Sequence, residues 1–123
     1  MKTAVIVLSD PKAGEEALGR VFNALAATYD FKAKGEDVEL VFQGAGTRWT
    51  GVLVNSDHPA HALYQAVADK VVGVSEACAT VFGALETATQ NGFDLIKNNP
   101  VPGTPGLPSL AQYAADGYRI LTF

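Results

Sequence analysis

Two periods of hydrophobicity alternate along this chain. Ala4-Val5-Ile6-Val7-Leu8 is an unbroken apolar run, the pattern of a strand covered on both faces, and it predicts a parallel sheet beneath helices. Beyond Ser9-Asp10-Pro11 the spacing becomes helical: Leu18, Val21, Phe22, Leu25, Ala26 and Tyr29 share one side, with Glu16, Arg20, Asn23 and Asp30 on the other. These positions predict one amphipathic helix with that stripe buried. Glu16 and Arg20 add an i, i+4 ion pair in the better orientation, and Lys32-Ala33-Lys34-Gly35 supplies a basic last turn and a terminal glycine. Val38 to Phe42 returns to the strand pattern, and strand, helix, strand at this length predicts a right-handed βαβ unit.

Asn55-Ser56-Asp57-His58-Pro59 reads as a helix entrance, with Ser56 or Asp57 as cap, Pro59 in the first turn, and Ala60, Leu63, Tyr64, Val67 and Val71 as the buried stripe. Val71-Val72-Gly73-Val74 is a third strand. The helix after Cys78 uses Val81, Phe82 and Leu85 and stops at Asn91-Gly92. Phe93-Asp94-Leu95-Ile96 fits either a short strand or one helical turn. Asn99 to Pro108 holds four prolines and two glycines and reads as an ordered surface loop. Leu110, Tyr113 and Ala114 mark a last helix ended by Gly117, and Tyr118 to Phe123 a final strand. Together these predict an α/β fold: one three-layer α/β/α domain over residues 1–123, with a mainly parallel sheet of about five strands.

Composition narrows the partners. Of the 123 residues 48% are hydrophobic and 18% charged, a globular balance with apolar surface left for an interface. The net charge is −4, and the 9 Lys and Arg residues form no cluster, which argues against nucleic acid. A single cysteine makes no internal disulfide, and Met1-Lys2-Thr3 leads straight into a strand rather than a signal-peptide core. No apolar run approaches the roughly 18 residues of a membrane helix. The expectation is a soluble cytoplasmic protein.

In open parallel sheets, ligands bind beyond the carboxyl ends of the strands. That edge gathers Ser9 and Asp10 after the first strand, the loop Gln43, Gly44, Ala45, Gly46, Thr47, Arg48 and Trp49 after the second, Cys78 after the third, and Gly103 to Gly106 of the proline loop as a further candidate. A cysteine at a helix start sees backbone N–H groups and the positive dipole end, which favour thiolate. Cys78 is therefore a candidate nucleophile; its ordinary alternative is a small buried hydrophobe between Ala77 and Ala79. The glycine loop lacks the third glycine of a dinucleotide fingerprint, since Trp49 stands there. It fits either a tight turn or a small-anion pocket with Arg48. Ser9-Asp10 fits a cap and turn, and Trp49 a packing or interface residue. His58 and His61 lie three apart beside Asp57 and make half a metal site, so exposed helix-entrance histidines are the preferred reading. No metal or cofactor is expected.

The order of pieces resembles the DsrE/DsrF-like family of small α/β sulfur-relay proteins. The likeness rests on the Val/Ile-rich first strand, the long amphipathic helix, Asp37 to Phe42 with its Gln43-Gly44 loop, Cys78, and the ending Asp116-Gly117-Tyr118-Arg119-Ile120-Leu121. It implies a helix-sandwiched parallel sheet, a homo-oligomer such as a trimer or hexamer, and a sulfur donor or acceptor protein as partner. It further implies a persulfide carried at the position of Cys78, and sulfurtransferase-like chemistry if the protein is an enzyme. The alternative is a non-enzymatic oligomeric module that binds a small ligand in the same crevice and uses Cys78 for packing.

Overall fold

In the computed structural model, which describes all 123 residues, five strands form one sheet: β1 (Lys2–Val7), β2 (Asp37–Phe42), β3 (Val71–Ser75), β4 (Leu95–Ile96) and β5 (Tyr118–Thr122). Their spatial order is β4-β3-β2-β1-β5, and every neighbouring pair is parallel. The helices are α1 (Glu15–Ala33), α2 (His61–Val67), α3 (Glu76–Val81), α4 (Leu85–Gln90) and α5 (Leu110–Ala115). Three crossovers step one way across the sheet and the last returns over it to β5. Right-handed connections therefore put α1 to α4 on one face and α5 on the other.

The two faces are unequal. The α1 side holds 16 buried core residues, among them Val5, Val7, Val21, Leu25, Phe42, Leu53, Val67 and Ala88. The α5 side holds three, Ala4, Ile6 and Val41, with Tyr113 and Ile120 packed against them. Strands β1 and β2 alternate between these clusters residue by residue, as a strand buried on both faces must.

Several expected elements differ in detail. The long helix buries Ala17, Val21, Ala24, Leu25 and Thr28, a stripe rotated from the expected one, and leaves Phe22 and Tyr29 40% and 50% exposed. Small residues line its inner side because α1 lies close on the sheet, and the aromatics fall on the flank. Residues 52–60 run as turns, so α2 starts at His61 behind Ala60, with no side-chain cap from Ser56 or Asp57. The helix expected after Cys78 is two short ones: Gly83, at φ +69, breaks it in a conformation that strongly favours glycine. Cys78 lies inside α3, as its third residue. Leu95–Ile96 settles the open segment as a strand, paired with β3. The proline loop is ordered, pinned by two backbone hydrogen bonds between Asn99 and Leu107.

Candidate functional site at the carboxyl edge

The segment after β2 turns at once into a run of 3-10 turns over Gly44–Gly51, and it does so against the end of β1. A Cβ on Gly46 would stand 2.2 Å from the Val7 carbonyl oxygen, so only glycine allows this approach. The glycines thus serve the turn. Thr47 is buried and its hydroxyl donates to the Gly44 carbonyl at 2.9 Å. The next two side chains reach across to the β1 loop. Arg48 Nη1 pairs with Asp10 Oδ2 at 2.7 Å, and Trp49 Nε1 donates to the Ser9 carbonyl at 2.8 Å. Asp10 also caps the short turn after β1 by accepting from the Lys12 N–H at 2.9 Å. Four of the predicted residues, Ser9, Asp10, Arg48 and Trp49, therefore meet in one hydrogen-bonded cluster.

Arg48 ties in a third segment. Its Nε donates to the Phe82 carbonyl at 3.0 Å, and its guanidinium lies over the Phe82 ring, 5.4 Å from the centroid. Between these parts opens the largest cleft in the molecule, about 690 Å³, walled by Leu18, Trp49, Val52, His58 and Phe82, with Arg48 in its lining and Lys12 at its edge. Leu18 and Phe82 read from sequence as ordinary stripe residues, and nothing in the pattern marked Lys12 or Val52. Their meeting depends on which loops the crossovers bring together.

Cys78 is not in the lining of that cleft. It sits one helical turn before Phe82, whose N–H donates to the Cys78 carbonyl at 2.9 Å. Ser75, buried at the end of β3, caps α3 by accepting the Cys78 N–H at 3.3 Å, and the Ala77 N–H donates to Gly106 of the proline loop at 2.9 Å. Two amides of the helix start are thus already used. Cys78 is a free cysteine and half-buried as a residue, unlike the buried Ala77 and Ala79 beside it. Gln43 and Ser75 each follow the registered pair Phe42 and Val74 by one residue, so strand alternation turns both toward the α5 side. The Gln43 Oε1 is buried with no hydrogen-bond partner in the protein.

The histidines are held separately. His58 Nδ1 accepts the Ala60 N–H at 3.1 Å, and His61 Nδ1 lies 2.7 Å from the Leu53 carbonyl. Each ring has its own backbone partner, and no group of three metal-ligating side chains gathers anywhere in the chain. On the opposite face Tyr113 donates to Glu39 at 3.4 Å, and its ring meets Tyr118 edge-on at 5.0 Å. The Glu39 carboxylate beside it, aided by burial, pushes Tyr118 up to about 12; burial first, then Glu39, raises Tyr113 as well. No helix is long and apolar enough to cross a membrane.

An uncharacterized protein of Methanocaldococcus jannaschii is 28% identical over 121 residues, covering 98% of this chain and 94% of its own. A conserved protein of unknown function from Bacteroides thetaiotaomicron shares the fold, with a TM-score of 0.63 at 17% identity over 99% of this chain and 95% of that one. The ychN protein from E. coli does so with a TM-score of 0.56 at 18% identity, both chains fully covered. The model of the DsrE/DsrF-like family matches residues 1–123, and the chain belongs to that family.

Proposed function

We propose that this protein is a sulfur carrier that holds sulfane sulfur as a persulfide on Cys78. The observation that carries the reading is a free, half-buried cysteine in the first turn of α3, just beyond β3, in a chain that matches the DsrE/DsrF-like family throughout. In loading, the Cys78 thiolate attacks the outer sulfur of a donor persulfide. A new S–S bond forms on Cys78, the donor's S–S bond breaks, and the donor leaves as thiolate. In unloading, an acceptor thiolate attacks the outer sulfur of Cys78 and regenerates its thiolate. Donor and acceptor exchange one sulfur atom with no external oxidant.

The partners in this reading are a donor and an acceptor protein, met in a reducing cytoplasm. The carrier itself is a homo-oligomer, a trimer or hexamer. Phe22, Tyr29 and Val81 are exposed apolar side chains that such an assembly would bury. Arg48 and Trp49 of the Gln43 to Trp49 segment line the neighbouring cleft, whose lining does not include Cys78. Incubation with polysulfide followed by cyanolysis tests the carrier role. Wild type should release thiocyanate and Cys78→Ala none; equal release from both rules it out.

A further inference from the structure

The cleft beside Arg48 has features that sulfur transfer at Cys78 does not use. Its volume of about 690 Å³ lies within the range of small-molecule sites. Its walls are largely apolar, and Trp49 is fixed by the hydrogen bond from its indole to Ser9. The polar groups that face it are mostly donors. Of the five N–H groups of a guanidinium, Arg48 uses one on Nε for Phe82 and one on Nη1 for Asp10, which leaves the others for a guest. Because His58 Nδ1 accepts the Ala60 N–H, the ring proton sits on Nε2 and gives a further donor. Lys12 and Arg48 stand in the lining with one carboxylate, the exposed Glu15, while Asp10 pairs with Arg48 from outside it.

We propose that this cleft binds a small organic monocarboxylate with a flat apolar body. The head lies on Arg48 and Lys12, and the body lies against Leu18, Val52 and Phe82. A carboxylate matches the guanidinium's planar donors better than a neutral acceptor does. Trp49 and Phe82 favour a ring system over a long chain, since rigid walls gain most from a rigid guest. The site is independent of the thiol: Cys78 is not in its lining.

The test is an amide-resolved NMR titration of the full chain with 1-naphthaleneacetate, with 2-(1-naphthyl)ethanol as the neutral analogue. The carboxylate should bind saturably, with Kd on the order of 100 µM, and shift residues 48–52 and 82–87. The alcohol should bind at least about fivefold more weakly. Lys12→Glu, at an exposed position, should weaken the carboxylate about threefold to tenfold and leave the alcohol unchanged. Thr87→Trp, which fills the cleft from the exposed side of α4, should abolish both. Cys78→Ala should bind as wild type does, whether or not it carries sulfur. Equal affinity for acid and alcohol, shifts confined to other parts of the chain, or no saturation overturns the proposal.

Discussion

The Arg48 cleft and the Cys78 turn share one edge of the sheet but are held in different ways. Around Arg48, side chains do the joining: an ion pair to Asp10, a hydrogen bond to Phe82 and the Trp49 bond to Ser9 lock three segments to one another. Around Cys78 it is the backbone of α3 that is held, its Cys78 N–H by the Ser75 hydroxyl and its Ala77 N–H by the Gly106 carbonyl, in a helix of six residues followed by a glycine break. A wall locked by side chains is preorganised to hold a guest. A thiol set on a short helix at the surface is presented instead. That suits an atom that must pass from one protein to another, which an enclosing pocket would hinder.

Substitutions can break this contrast, in order of expected effect. Gly46→Ala should cost about 3 kcal/mol or more, because its methyl group would collide with the Val7 carbonyl and the backbone cannot yield. Urea unfolding reads this directly. Arg48→Met should cost about 1–2 kcal/mol, the lesser value reflecting its partial exposure, and should loosen the cleft while leaving cyanolysis intact. Ser75→Ala removes the cap under Cys78 and should cost about 1 kcal/mol. It should slow sulfur loading without changing the affinity of the cleft, the reverse of the Arg48 result.

Val81→Ser should change stability by less than about 0.5 kcal/mol, since Val81 is 76% exposed. If α3 faces a second copy, the sizing profile should still shift toward smaller species. The α5 face supplies a pH control. With Tyr118 raised from 10.0 to about 12, the folded chain holds its proton more tightly than the unfolded one. Stability is then full below pH 10 and falls as the pH rises toward 12. Glu39→Gln should flatten that fall in pH-resolved urea curves, leaving cleft and thiol as they were.

The succession of strands and helices along the chain was legible because β1 and β2 are buried on both faces and α1 is long; the spatial order of the strands was not. The convergence of Ser9, Asp10, Arg48 and Trp49 was legible too, since strand ends in a parallel sheet share one edge. The burial of Phe22 and Tyr29 was misread: periodicity gives the angular spread of apolar residues but not which half of a wide stripe meets the sheet. The start of α2 was obscured because the strong cap signals at Ser56 and Asp57 serve turns. Gly83 fell inside the single helix expected after Cys78, and its positive φ is what separates α3 from α4. The cleft itself left no signal, since Leu18, Val52 and Phe82 lie on segments whose local patterns are complete without one another.

The central claim is that Cys78 carries sulfur. Intact-mass and peptide mass spectrometry of the native protein after brief treatment with polysulfide tests it most directly. The account predicts a gain of about 32 Da, one sulfur atom, on the peptide containing Cys78, removed by a thiol acceptor and missing from Cys78→Ala. An unmodified wild-type thiol, or an equal gain in the alanine variant, would contradict it.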